Sequence, residues 1–356
     1  MLYVVFADMI AQIAVGAIVC FMGYAYVTIR PPPPKTCGSP GGPPLTSPRV
    51  KLDDGRHLAY KEKGVAKEEA KHKIIVCHGF DDSKDFNLPI SQVSKLFDHI
   101  DGLFLEMIAL DQILSKEKRP NPKRSIKSDA FDIQELADKL HLGSKFYLVG
   151  IAMGAYPVYG CLKYIPHRLS GAALIVPFVN YWWKCFPSKL SKEALGTLPL
   201  SDQWTFRVAR FAPWLVNWWM TQKWFTSLSI MHGKLDIFAP SDLEIIRQLS
   251  ASPREGQEKV RQQGVHECLH RDLIVGFGRW GFDPTDIVNP FANNEGCVHI
   301  WQGNEDNFIP KKLSRYLSEK LPWIQYHEVL DAGHFLIYNQ TNCEAIFKSL
   351  LICNNT

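Results

Sequence analysis

Residues 150–154 read Gly-Ile-Ala-Met-Gly, with an apolar run before them and a helix-period segment after. In a G-x-S-x-G corner two glycines let the chain turn sharply from strand to helix, and the side chain between them is lifted clear of the sheet as a nucleophile. Gly150 and Gly154 keep that frame, but the residue between them is Ala152, whose methyl group attacks nothing. Other groups of such a site follow at the ends of separate apolar runs. Cys77-His78-Gly79-Phe80 has the form of a His-Gly loop, which supplies one oxyanion-hole amide at Phe80, the second being that of Met153 after the nucleophile position. Asp306, in Gly303-Asn304-Glu305-Asp306, and His334, in Asp331-Ala332-Gly333-His334, stand in the order nucleophile, acid, base that this chemistry uses. With Ala152 no acyl- or alkyl-enzyme forms at this position, whereas an Asp306–His334 dyad still offers proton abstraction or an oriented water.

Two other clusters carry chemical possibilities. His266-Glu267-Cys268-Leu269-His270 fits H-E-x-x-H, which on a helix puts two imidazoles on one face with a glutamate base between them, as in a zinc protease. It has no companion ligand such as a following Gly-x-x-His, so it is read as a chance match, and neither a metal nor a cofactor is expected. Lys116, Lys118, Arg119, Lys123, Arg124 and Lys127 form a basic run that reads as a solvated loop, the alternative being contact with anionic lipid.

The elements that must hold these groups are visible as a rhythm. Apolar runs at residues 58–60, 74–77, 104–110, 146–150, 172–176, 298–302 and 324–329 alternate with helix-period segments, which means an α/β fold with a mostly parallel sheet and helices on both faces. Residues from about 180 to 293 interrupt the rhythm and hold seven of the ten tryptophans between Trp182 and Trp224, the make-up of an aromatic helical cap over an apolar pocket. The rings themselves are expected mainly to pack the cap. With 356 residues and 46% hydrophobic content the chain has a real core; a net charge of +4 without a basic, aromatic-interleaved stripe excludes nucleic acid as a partner.

Residues 1–29 read as a membrane anchor, because 9–29 carry no formal charge and are long enough to cross a bilayer core of about 30 Å. Arg30, Lys35, Arg49 and Lys51 flank it on the C-terminal side only, which places residues 49–356 in the cytosol. Residues 30–48, rich in proline and glycine, read as a semi-rigid spacer holding that domain off the membrane. Nine cysteines, an odd number without a C-x-x-C pair, fit reduced thiols, and the sequons at Asn339 and Asn354 count only in the opposite topology.

Beyond these readings, the chain from about residue 30 onward resembles the plant membrane-anchored α/β-hydrolase-fold proteins of the AB-hydrolase-1 type. The resemblance rests on residues 37–44 (Cys-Gly-Ser-Pro-Gly-Gly-Pro-Pro), 54–60 (Asp-Gly-Arg-His-Leu-Ala-Tyr), 78–81 (His-Gly-Phe-Asp), 121–125 (Asn-Pro-Lys-Arg-Ser), 162–169 (Leu-Lys-Tyr-Ile-Pro-His-Arg-Leu) and 331–334. It implies an α/β-hydrolase fold, a serine where Ala152 stands, and Asp306 and His334 as acid and base. A second departure lies at residues 111–116, Asp-Gln-Ile-Leu-Ser-Lys, where relatives carry a glycine-rich Asp-Arg-Ala-Gly-Tyr-Gly loop. The expected protein is a single-pass endomembrane protein, in the endoplasmic reticulum, of the esterase and lipase lineage. It has lost covalent hydrolysis and binds a small apolar or ester-like ligand, or a protein partner, in the old pocket. The alternatives are an esterase or lipase-like enzyme using a His334-activated water, and non-covalent dyad catalysis.

Overall fold

The computed structural model describes residues 2–35, 37–45, 47–64, 70–82, 88–89, 103–108, 112–113, 124–250, 261, 263–293 and 295–352. Asp111, Lys116, Lys118, Arg119, Lys123, most of the divergent loop and Asn354 lie outside them.

The sheet forms where apolar runs are continuous, since strands covered on both faces have no solvent side to mark with polar residues. Strands β4 (His72–Cys77), β7 (Phe146–Ile151), β8 (Leu169–Ile175) and β9 (Val298–Gly303) are buried along nearly their whole length. With β3 (Lys61–Gly64), β5 (Leu103–Ile108) and β10 (Ile324–Val329) they make a seven-stranded sheet in the order β10-β9-β8-β7-β4-β5-β3. Only β3 against β5 is antiparallel; the other pairings are parallel. The chain passes from β4 to β5 on one side and returns as β7 on the other, so a crevice opens at the carboxyl ends of β4 and β7, the place where such sheets bind ligands. Polar β1 (Arg49–Lys51), β2 (His57–Ala59) and β6 (Gln112–Ile113) form a separate antiparallel sheet. The divergent loop thus begins as a strand paired to β2.

Helix α1 (Leu2–Ile29) is the apolar N-terminal segment; its span Asp8–Ile29 is long and apolar enough to cross a membrane and is not buried inside the protein. The Pro/Gly-rich stretch after it does not stand off. Lys35 N–H donates to the Gln263 carbonyl at 2.9 Å, and Cys37 is buried against Ala59, so the stretch is fastened to the domain. Helix α2 (Ile126–Lys139) starts at a reciprocal cap between Ser125 and Ser128 and packs its apolar face on α3 (Ala155–Tyr164). Glycine at 160 allows that approach: a Cβ there would lie 2.7 Å from the Ile126 carbonyl oxygen.

The cap follows β8 as α4 (Ser188–Gly196), α5 (Leu200–Phe211), α6 (Val216–Thr221), α7 (Pro240–Ser250) and, after a π-helical turn at His266–His270, α8 (Arg271–Phe277). Helices α9 (Lys311–Lys320) and α10 (Gln340–Ile352) then alternate with β9 and β10. Trp183 packs edge-on to Tyr159 and Trp280 in the core, and Trp182 packs edge-on to Phe211 and Phe277, whereas Trp204, Trp214 and Trp224 are exposed.

Two sequence readings are corrected here. Arg124 is not a solvated loop residue: its side chain is buried, donating to Asp129 at 3.1 Å, to Asp272 at 2.7 Å and to the Tyr156 hydroxyl. Its partners are spread over three helices, which linear charge patterning does not register. Among the cysteines, seven described ones stand outside any disulfide, but Cys297 is disulfide-bonded.

Candidate functional site

At the carboxyl end of β7 the backbone turns through Ala152 at φ +47°, a left-handed value that costs an L-residue about 1–2 kcal/mol. The corner is held from both sides. A Cβ at Gly150 would lie 2.6 Å from the Gly154 carbonyl oxygen, and one at Gly154 would lie 2.2 Å from that of Cys77, so both positions demand glycine. The Ala152 carbonyl accepts the Phe178 N–H at 2.9 Å, tying the corner to the loop after β8. Across from it, an ideal Cβ on Gly79 would come within 3.6 Å of the Ala152 methyl, so the His-Gly loop and the corner face each other.

Asp306 sits after β9 with its carboxylate buried and fully used. One oxygen accepts the Phe308 and Ile309 N–H groups at 2.8 and 3.0 Å; the other accepts Gln302 Nε2 and meets His334 Nδ1, each at 3.1 Å. Ser314 donates to Gln302 Oε1 at 3.1 Å, fixing which end of that amide faces Asp306. Burial works against a charged His334 ring, but the charge and hydrogen bond of Asp306, joined by the Asp242 carboxylate, outweigh it and raise the imidazole above its ordinary value.

Ala152, Phe80, Met153 and His334 line one cavity of about 170 Å³ at the crevice. Its walls are apolar and aromatic, with Phe178, Tyr181, Phe206, Phe277, Phe308 and Phe335 among them, and Asp82, Asp202 and Tyr338 as polar points. Tyr338 donates to Asp82 at 3.2 Å. None of the described lining residues is a tryptophan, serine, threonine or cysteine. The structure therefore brings the sequence-selected residues together, Gly150 and Gly154 as the corner's supports and Asp306 behind His334.

Sequence reasoning does not find Asp242. From the first turn of α7 its carboxylate accepts the His334 and Phe335 N–H groups at 2.9 and 2.8 Å, so the cap itself positions the histidine loop. Gly333 makes room for it: a Cβ there would lie 2.1 Å from Asp242 Oδ2. An aspartate at a helix start after Pro240 is a visible signal, but it reads as an ordinary first-turn acid.

The H-E-x-x-H segment lies apart from this pair. His266 and His270 stack edge-on with ring centroids 5.5 Å apart, while Glu267 is taken up bidentately by Arg271 at 2.7 Å. Burial, then the neighbouring His266, pushes His270 down to about 3, leaving it neutral. Among the described residues no three His, Cys, Asp or Glu side chains gather as a metal-binding group.

Solved structures place this architecture as an α/β-hydrolase fold. A thermophilic esterase from Thermogutta terrifontis, solved with malate bound, matches with a TM-score of 0.55 at 15% identity over 88% of this chain and 100% of its own. The enol-lactonase from Burkholderia xenovorans matches with a TM-score of 0.55 at 14% identity over 87% of this chain and 100% of its own, and an esterase from Exiguobacterium antarcticum with 0.51 at 14% over the same shares. Such identities carry the fold, while function has to be argued from the site. No family model matches the sequence, and no curated protein matches it.

Proposed function

We propose that this chain is a membrane-anchored protein of the esterase lineage that holds a small apolar, ester-like ligand in the cavity over Ala152 without forming an acyl-enzyme. The observation that carries this reading is Ala152 itself, at φ +47° on the floor of a cavity whose described lining offers no hydroxyl or thiol of Ser, Thr or Cys. The apolar cavity, the left-handed corner and the His334–Asp306 contact at 3.1 Å support it, and a methyl group stands where a nucleophile would attack. In this reading α1 is the anchor, the domain faces the cytosol of the endomembrane system, and a protein partner is the competing occupant of the pocket.

The test is hydrolysis of p-nitrophenyl esters of short and long acyl chains by the detergent-solubilised full chain, its Ala152→Ser variant and its His334→Ala variant. The expected result is turnover by Ala152→Ser alone. A serine nucleophile in a complete triad, as in subtilisin, is worth about 10⁶ in kcat, so a gain of several orders of magnitude is the scale to look for. Turnover by the unaltered chain that His334→Ala abolishes would replace this reading with a His334-activated water, for which the intact dyad at 3.1 Å is the supporting observation.

A further inference from the structure

Helix α5 has two faces with different uses. Asp202 and Phe206 point into the cavity, while Leu200, Trp204 and Phe211 are exposed. At about 100° per residue, positions 200, 204, 207 and 211 fall on one stripe of the helix. Within that stripe the Arg207 guanidinium lies 5.5 Å from the Trp204 ring centroid. Past the end of α5 the exposure continues, with Trp214 64% and Trp224 80% exposed and Lys223 exposed beside the latter. Large rings left in water with cations among them form the composition of a bilayer interface, where indole rings sit at headgroup level and Lys or Arg reach the phosphates.

The anchor arrives at the same place. Helix α1 contacts α6, the short helix between Trp214 and Trp224. In its charge-free stretch only Ala25 and Ile29, four residues apart and so on one face, are shielded from solvent among the described residues. The contact therefore involves the last turns of α1, where a spanning helix of 22 residues, about 33 Å long, leaves the hydrocarbon. With Lys35 fastened to Gln263 the chain has no slack to lift the domain away.

We propose that the outer face of α5 and the segment from Trp214 to Trp224 rest on the lipid bilayer that holds α1, so that the cap forms the wall between membrane and cavity. An apolar ligand then passes to the cavity from the bilayer along α5 without crossing bulk water. This rests on the reading of α1 as an anchor.

All ten tryptophans lie outside α1, so quenching of their emission by brominated lipid reports contact by the domain alone. The full chain is reconstituted in nanodiscs of phosphatidylcholine and phosphatidylserine, with either ordinary or brominated acyl chains. The expected result is a loss of emission in brominated discs that largely disappears in Trp204→Ala/Trp214→Ala/Trp224→Ala and persists in Trp323→Phe, a control just before β10 at the opposite end of the strands. All three replaced rings are exposed, so the triple variant keeps its fold, which an unchanged far-ultraviolet dichroism spectrum checks. Equal emission in the two kinds of disc overturns the proposal, as does quenching that the triple variant leaves intact. A chain that fails to enter the discs overturns it by removing the anchor. None of these outcomes bears on the ester assays, so the two readings fail separately.

Discussion

In the function proposed for this chain, Ala152 keeps the backbone strain of a nucleophile position without the atom that strain serves. An alanine gains nothing from φ +47°; the value follows from the packing of Gly150 and Gly154 against backbone on both sides. That is why a serine placed at 152 is expected to be active: the corner needs no remodelling to present it. The Ala152→Ser enzyme should show an acid limb in kcat/KM above the ordinary histidine value of about 6.5, because His334 must be neutral to act as base and its proton is held by Asp306. Adding Asp306→Asn removes the carboxylate's charge, so the limb moves to lower pH while the rate falls. Stability carries the same sign. A histidine raised in the folded state contributes its stabilisation fully below the unfolded value and loses it as pH rises through the raised one. Denaturation midpoints should therefore decline across that window in the parent and stay flatter in Asp306→Asn. A limb that does not move would mean that His334 is not the base.

Among the elements, the joint between cap and core rests on Arg124. It precedes α2, yet its guanidinium joins Asp129 of α2, Tyr156 of α3 and Asp272 of α8, all beneath the corner that follows β7. Arg124→Met leaves two carboxylates without their cation in a buried setting, a loss of roughly 3–5 kcal/mol when one partner of such a group is removed. The unfolding free energy extrapolated from urea titration should fall by that amount, and a change under about 1 kcal/mol would show the cluster to be solvated. Such joints mark the limit of what the sequence makes legible. The sheet was readable because strands buried on both faces are unbroken apolar runs, and the corner, Asp306 and His334 because each ends such a run. Arg124 and Asp242 were not, because their partners lie 148 and 92 positions away and neither residue breaks a local pattern. Of the short sheet of β1, β2 and β6, only β2 was read, as the run at 58–60, and it was assigned to the parallel sheet although it pairs antiparallel in the separate one; β1 and β6, of three and two residues, are too brief for alternation to show. Residues 266–270 looked like one face of an α-helix, but a π-helical turn changes which side chains share a face.

For the whole molecule, the proposed anchoring by α1 leaves one quantity to fix, the side of the membrane on which the cavity lies. Arg30, Lys35, Arg49 and Lys51 follow α1, while Asp8 is the one charged residue before its apolar stretch, and charges this close to a spanning helix act during insertion. Seven cysteines outside any disulfide agree with a reducing compartment. The Cys297 disulfide pulls the other way, since the cytosol keeps such bonds reduced. The flank charges set orientation as the chain is inserted, whereas a disulfide only reports the solution met afterwards, so the cytosolic side is the expected one. Asn339 gives an independent reading: it is exposed, heads α10, and lies in Asn-Gln-Thr, a glycan acceptor only on the lumenal side. In sealed microsomes bearing the full chain, added protease should digest the domain without detergent, and Asn339→Gln should leave electrophoretic mobility unchanged. A protected domain whose mobility shifts with Asn339→Gln would invert the topology. It would also assign Cys297 to a bond formed in the cell, and put the aromatic face of α5 on the lumenal leaflet, where its ligands would come from a different pool of lipid.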